Sequence, residues 1–267
     1  MSYYGFIGCG NMGGALAAAA AKSVDKKEIY VSGKDKSESD LFAQKHGVNS
    51  SDNITIAKSS DILFLGVKPQ VLGQVLNEIA PALKSNENCV VVSMAAAITI
   101  NKIVQMLGFE PKIIRIMPNT PVFVNEGMTV YDANSKVSEE EINKFLEVLK
   151  FAGQFDRLDE DKIDAAGALS GCGPAYAYIF LEALADGAVS LGIPRDKAER
   201  YAAQTLLGAA AMMLNTGKKP GELKDSVCSP GGTTIEGVAA LEKAGFRSAA
   251  IDACVAAYNK TKKLAGK

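Results

Sequence analysis

Apolar positions follow two patterns along the chain, and one gives way to the other near residue 160. Before that point short Val/Ile/Leu runs alternate with amphipathic stretches. The runs fall at residues 3–8, 28–32, 61–67, 89–94 and 112–117, with a further candidate at 127–131. Ile62-Leu63-Phe64-Leu65 shows no polar alternation, as expected of a strand covered on both faces. Residues 11–22, 70–83, 101–107 and 138–150 instead space their apolar residues as helices do. The last of these opens with Ser138 and Glu141 at capping-box spacing. Residues 37–46 end as a helix does, with His46 followed by Gly47. Strands alternating with helices predict a doubly wound α/β domain with a mainly parallel sheet over residues 1–160.

Beyond about residue 161 strand-like patterning stops. Residues 163–191 form a long apolar, Ala/Gly-rich stretch, and residues 195–216, 233–244 and 247–263 follow as helices. Gly192, Gly217 and Gly245 punctuate their ends, and Asp196 is placed to cap the second. Residues 161–267 are therefore expected to form an all-α domain. Two of its helices are apolar on more than one face, which predicts burial against a partner chain.

Composition narrows the function by exclusion. Twenty-nine basic residues against thirty acidic leave a net charge of −1, which argues against a nucleic-acid partner. No run approaches the roughly 18 apolar residues of a membrane span. The N-terminus lacks a signal peptide's basic start and cleavage site, so a cytoplasmic protein is expected. Five widely spaced cysteines without a Cys-x-x-Cys pair argue against a disulfide framework or a structural zinc site. The single histidine, His46, sits at a predicted helix end, so chemistry without histidine and without metal is expected.

Gly8-Cys9-Gly10-Asn11-Met12-Gly13, with Ile7 immediately before it, fits G-x-G-x-x-G between a strand and a helix. In that setting Gly8 allows the turn, Gly10 admits a pyrophosphate and Gly13 lets helix and strand pack closely. The end of the second strand then selects the cofactor. An NAD enzyme usually carries an acid there for the ribose hydroxyls. This chain has Ser32-Gly33-Lys34, which suits a ribose phosphate. NADPH is therefore the expected cofactor, with NADH as the alternative.

Further segments stand where ligands bind in open α/β sheets, at the carboxyl ends of strands. Gly66-Val67-Lys68-Pro69 follows one apolar strand, and Met117-Pro118-Asn119-Thr120-Pro121 ends another. Ser170-Gly171-Cys172-Gly173-Pro174 interrupts the first long helical stretch as a kink or a break. Ser229-Pro230-Gly231-Gly232-Thr233-Thr234 is a small-residue loop entering a helix. Its backbone N–H groups either bind an anion such as a carboxylate or are capped by Thr233 or Thr234.

With these motifs in this order and spacing, the chain resembles the pyrroline-5-carboxylate reductase family over nearly its whole length. The resemblance implies a Rossmann-type domain followed by an intertwined helical dimerisation domain, with dimers assembling into larger rings. It implies reduction of the C=N bond of 1-pyrroline-5-carboxylate by NAD(P)H to L-proline, the last step of proline biosynthesis. The active site would lie between the nucleotide domain and helices contributed by the dimer. The loop containing Ser229, Gly231, Gly232 and Thr233 would hold the substrate carboxylate, with Ser170 also on the substrate side. Thr234 would be the catalytic hydroxyl near the ring nitrogen. Asn53 would lie at the adenosine ribose phosphate. Met94, Ala95 and Ala96 would line the nicotinamide side, and Asn119 would join the cofactor site. The family often has glycine where this chain has Ala97. A protonated cyclic imine accepts hydride readily, so the protein needs to supply mainly orientation and an anion site. Two alternatives remain at this stage. A β-hydroxyacid dehydrogenase or imine reductase usually carries a lysine on the long helix, and residues 164–195 contain none. A non-catalytic dinucleotide sensor would need no carboxylate loop.

Overall fold

The computed structural model describes residues 3–266. The chain runs β1 (Tyr4–Ile7), α1 (Asn11–Ala20), β2 (Ile29–Ser32), α2 (Lys36–His46), β3 (Asn49–Ser50), α3 (Asn53–Ser59) and β4 (Ile62–Leu65). It continues with α4 (Pro69–Ser85), β5 (Val90–Ser93), α5 (Ile100–Leu107), β6 (Lys112–Met117), β7 (Gly127–Ala133), α6 (Glu139–Val148) and β8 (Gly153–Arg157). Helices complete it: α7 (Glu160–Ser170), α8 (Gly173–Ser190), α9 (Arg195–Thr216), α10 (Pro220–Ser226), α11 (Thr233–Lys243) and α12 (Phe246–Leu264).

The strands form one sheet in the order β3-β2-β1-β4-β5-β6-β7-β8. The first six are parallel; β7 runs antiparallel to β6, and β8 runs parallel to β7. The parallel part has the doubly wound order in which the strand sequence reverses between β1 and β4, and that crevice is where such sheets bind dinucleotides. Each face buries its own core. Phe6 stacks on Phe64 at 4.4 Å on one side, with Phe145 of α6 behind them. Leu72, Leu76 and Ile79 of α4 cover Leu63, Leu65 and Val91 on the other. This double covering is why β1, β4 and β5 read as unbroken apolar runs.

The expected elements are present, with informative differences. β8 carries Gln154, Asp156 and Arg157 at a sheet edge, where half its side chains meet water, so its apolar signal is weak. The two-residue β3, and the short α3 and α10, are below the length at which periodicity registers. Residues 163–191 divide into α7 and α8 around Gly171 and Cys172, so the glycines and proline there mark a break between helices. Asp196 lies in the first turn of α9 rather than capping it, because the chain enters that helix at Pro194.

The chain forms two compact units. One extends to Cys172 and resumes from Ala257; the other is Gly173–Ala256. The boundary lies beyond residue 160, where strands end, because α7 packs onto the sheet through β6 and β7. Within Gly173–Ala256, Tyr176 Oη donates to the Ala253 carbonyl at 3.3 Å and Phe180 meets Phe246 at 5.0 Å. In the single chain only Ala185, Ala198 and Ala202 of this unit are buried. Among the described residues no helix is long and apolar enough to cross a membrane.

Candidate active site

The glycine loop between β1 and α1 explains its own composition. Gly8 has φ +95°, and its Cβ would lie 2.8 Å from the Gly66 carbonyl carbon. A Cβ on Gly13 would lie 2.1 Å from the Gly8 carbonyl oxygen, and one on Gly66 would lie 2.9 Å from Gly13 Cα. The ends of β1 and β4 and the first turn of α1 therefore meet backbone to backbone. Gly10 differs, since nothing lies within 4 Å of where its Cβ would be. The fold does not need glycine there; open space above the helix N-terminus does. Gly10 is also the N-cap of α1 and offers no side-chain cap, so the first-turn N–H groups of Asn11, Met12 and Gly13 are left for a ligand. Cys9 contributes backbone: burial pushes its thiol above the usual range, which keeps it protonated.

At the end of β2 a cavity of about 620 Å³ opens beside Ser32, Lys34, Lys36 and Asn53. Ser32 Oγ donates to Asn53 Oδ1 at 2.6 Å, and Asn53 Nδ2 donates to Glu78 Oε2 at 3.0 Å. Three carboxylates also line the cavity, and each is engaged. Asp52 caps α3, accepting from Thr55 N at 2.9 Å and Thr55 Oγ1 at 2.7 Å, which holds its carboxyl below the usual range. Asp40 accepts from Ser50, and Glu78 from Asn53. Among the described residues, Lys34 and Lys36 form no ion pair. The cavity therefore carries both signs, with Lys34 and Lys36 facing it alongside Asp40, Asp52 and Glu78.

Three more segments lie at carboxyl ends of neighbouring strands. Lys68 precedes α4 as its uncapped N-cap, with Pro69 opening the helix after Gly66 and Val67. Met94 and Ala96 are accessible after β5, while Ala95 is buried. Asn119, after β6, is only 8% exposed, and backbone groups use both ends of its side chain. Its Nδ2 donates to the Ser170 carbonyl at 2.9 Å, and its Oδ1 accepts from Met128 N at 2.9 Å. Asn119 thus ties the loop after β6 to the end of α7. Ser170 Oγ donates back to the Ala166 carbonyl at 3.0 Å.

The small-residue loop is in the other unit. Gly231 has φ +65°, and Gly232 N donates to the Ser229 carbonyl at 3.0 Å. Gly232 is the N-cap of α11 and no side chain caps the helix. Thr233 and Thr234 are the first helical residues and exposed, so their hydroxyls are not spent on capping. His46 ends α2 and stacks on Phe42 at 4.3 Å, with Gly47 at φ +72° as the cap. Burial, then Lys45 and Lys26, hold its imidazole below the usual range.

Pattern reading missed Lys36 and Glu78 in the cavity at the end of β2. It also missed a buried charge cluster of Arg115, Asp164 and Glu160. The signal for the cluster was an arginine inside the apolar strand Ile113-Ile114-Arg115-Ile116, which periodicity treats as noise.

A glycine cradle at the switch point of a doubly wound sheet, with a lysine-bearing cavity at the end of the next strand, is the arrangement of a nicotinamide-dinucleotide-dependent oxidoreductase. Residues 160–264 match the family described as pyrroline-5-carboxylate reductase dimerisation, and residues 3–97 match NADP oxidoreductase, coenzyme F420-dependent. The Escherichia coli pyrroline-5-carboxylate reductase is 42% identical over 97% of both chains. The Coxiella burnetii enzyme structure superposes with a TM-score of 0.91 at 36% identity, covering 98% of both chains. A Plasmodium falciparum pyrroline carboxylate reductase solved with NADP bound gives 0.88 at 34%, over 99% of this chain and 98% of that one. This chain belongs to the pyrroline-5-carboxylate reductase family.

Proposed function

We infer that the protein reduces the C=N bond of 1-pyrroline-5-carboxylate to give L-proline, the last step of proline biosynthesis. The observation that carries this is the 42% identity running through both halves of the chain, which spans the cradle and the helical unit alike. A nicotinamide dinucleotide held here would supply the hydride that reduces the imine carbon. The protein supplies the rest. Ile7 to Gly13, with Gly66, Val67, Lys68 and Pro69, frame the dinucleotide, and the α1 N-terminus receives its pyrophosphate. Ser32, Lys34 and Asn53 hold the adenosine ribose, and Met94, Ala95 and Ala96 line the nicotinamide. The unspent cations Lys34 and Lys36 favour a ribose phosphate, so NADPH is preferred over NADH. Asn119 contributes through the loop it pins.

Ser229, Gly231, Gly232 and Thr233 hold the substrate carboxylate on the uncapped N-terminus of α11, with Ser170 as a further substrate contact. Thr234 presents its hydroxyl to the ring nitrogen and keeps the proton there while hydride arrives. In this reading residues before about 160 bind the dinucleotide, and those after it dimerise and bind substrate. The protein is a homo-oligomer, and we propose that its dimers assemble further. The test is absorbance at 340 nm with 1-pyrroline-5-carboxylate, run in parallel with NADPH and NADH. Imine-dependent oxidation, faster with NADPH at equal subsaturating concentration, is expected. Folded protein that binds dinucleotide without turnover would move the assignment to a sensor.

A further inference from the structure

Behind the turn that follows β5 lies the charge cluster to which no step above assigns a task. Ile98 N donates to the Ala95 carbonyl at 3.3 Å, closing a four-residue turn whose third residue is Ala97. Ala97 has φ +64°. That is the position a type II turn reserves for glycine. An L-residue held there is strained and persists only where its surroundings fix it. The fixing is visible at the start of α5. Ile100 N donates to Glu160 Oε1 at 2.6 Å, while Thr99 Oγ1 accepts from Lys102 N at 3.2 Å. A carboxylate at a helix N-terminus also suits the helix dipole. The same Glu160 oxygen faces Arg115 Nη1 at 3.4 Å. Arg115 is 1% exposed and its other Nη pairs with Asp164. Glu160 N donates in turn to Asp132 Oδ2 at 2.9 Å. The turn is thus braced from α7 and β6 through one carboxylate.

We propose that Glu160, backed by Arg115, is a positioning residue for hydride transfer: it holds the strained turn at Ala97 in place, and so sets kcat more than cofactor affinity. The proposal rests on the assignment of Met94 to Ala96 to the nicotinamide side. Displacing a reacting group by a fraction of an ångström is enough to slow transfer severalfold while binding through the rest of the dinucleotide persists.

The test is steady-state kinetics and the primary isotope effect with NADPH deuterated at the transferred position. The variants are Glu160→Ala, Glu160→Gln, Ala97→Gly, Glu160→Ala with Ala97→Gly, and Ala96→Leu. Glu160→Ala is expected to lose about tenfold in kcat, with dinucleotide Kd within about twofold and a raised isotope effect. Glu160→Gln keeps an acceptor for Ile100 N but loses the charge facing Arg115, and is expected to lose about threefold. In the Ala97→Gly background the strain is gone, so the loss from Glu160→Ala should shrink to about threefold or less. Unchanged kcat in Glu160→Ala, or a loss that Ala97→Gly leaves undiminished, overturns the proposal. If Glu160→Ala does not fold, Glu160→Gln decides, and an unchanged isotope effect there overturns it. Ala96→Leu separates the two readings. If it turns over normally, the nicotinamide assignment is wrong and the proposal falls with it. If it is inactive while Glu160→Ala is fully active, only the positioning role fails.

Discussion

In the proposed reading, single residues carry the cofactor choice and the proton. Ser32 is buried and bonded to Asn53, and the lysines beside it are unpaired while every nearby carboxylate is engaged. Replacing Ser32 by Asp places a negative charge where, in the proposed reading, a ribose phosphate would sit, and gives the lysines a competing partner. Ser32→Asp is expected to lower kcat/KM for NADPH by about tenfold or more and to spare NADH. Equal losses with both cofactors would remove this cavity from cofactor selection. Thr234 is exposed and uninvolved in capping, so its hydroxyl is free for a ligand. Thr234→Ala should lower kcat by roughly tenfold or more while dinucleotide Kd, read by fluorescence titration, stays nearly constant. Unchanged turnover would take Thr234 out of the reaction.

At the scale of elements, helix ends divide into those the protein caps for itself and those it leaves open. Asp52, Thr99 and Ser138 cap α3, α5 and α6. Gly10 and Gly232 leave α1 and α11 open, at the two loops assigned to anions. α6 shows what a closed end does. Glu141 Oε2 accepts from Ser138 N at 2.9 Å, and its Oε1 meets Lys112 Nζ of β6 at 2.6 Å. Burial alone would push this carboxyl up, but Lys112 and the Ser138 groups outweigh it, and the net shift is downward. A carboxyl depressed in the folded state contributes stability above its unfolded range and loses it as pH falls through the folded value. Denaturant midpoints of the natural chain should therefore decline more steeply on acidification than those of Glu141→Gln. Parallel curves would show that the pair contributes nothing. Ser138→Ala should cost about 1 kcal/mol at neutral pH.

For the whole molecule the decisive fact is a helical unit almost without a core of its own. Leu191 is 85% exposed, Leu214 80% and Ile179 67% in the single chain. Apolar surface on that scale is covered in solution, and the matched dimerisation family supplies the cover as a second copy. Stability should then depend on protein concentration. The melting midpoint is expected to rise by a few degrees per tenfold increase in protomer. Sedimentation should show dimers or larger species at micromolar concentration. Ile179→Asp should shift the distribution toward monomer and lower activity with it. A monomeric wild-type chain with a concentration-independent midpoint would contradict this.

What was legible in the order of residues is what local physics encodes. β1, β4 and β5 are buried on both faces, so they spell themselves as apolar runs, and helix ends spell themselves as caps and glycines. The Gly8 and Gly13 positions were readable because backbone approaches there leave no room for a side chain, while open space lies above Gly10. The Ser229–Thr234 loop was readable because a run of small residues ahead of a helical stretch stands out from its surroundings, and the structure leaves that helix end uncapped. Side-chain partnerships made across the chain had no such signature. Asn119 lies in a legible motif, yet its amide binds the Ser170 carbonyl and Met128 N, a task visible only once β6, β7 and α7 are side by side. Arg115 interrupts an apolar strand, and its partners Asp164 and Glu160 lie more than forty residues later in the chain. Long-range pairing of charges leaves no periodic mark, because nothing local in the chain constrains where the partner sits. Chain folding is what brings those groups together, and with them the brace behind the turn at Ala97.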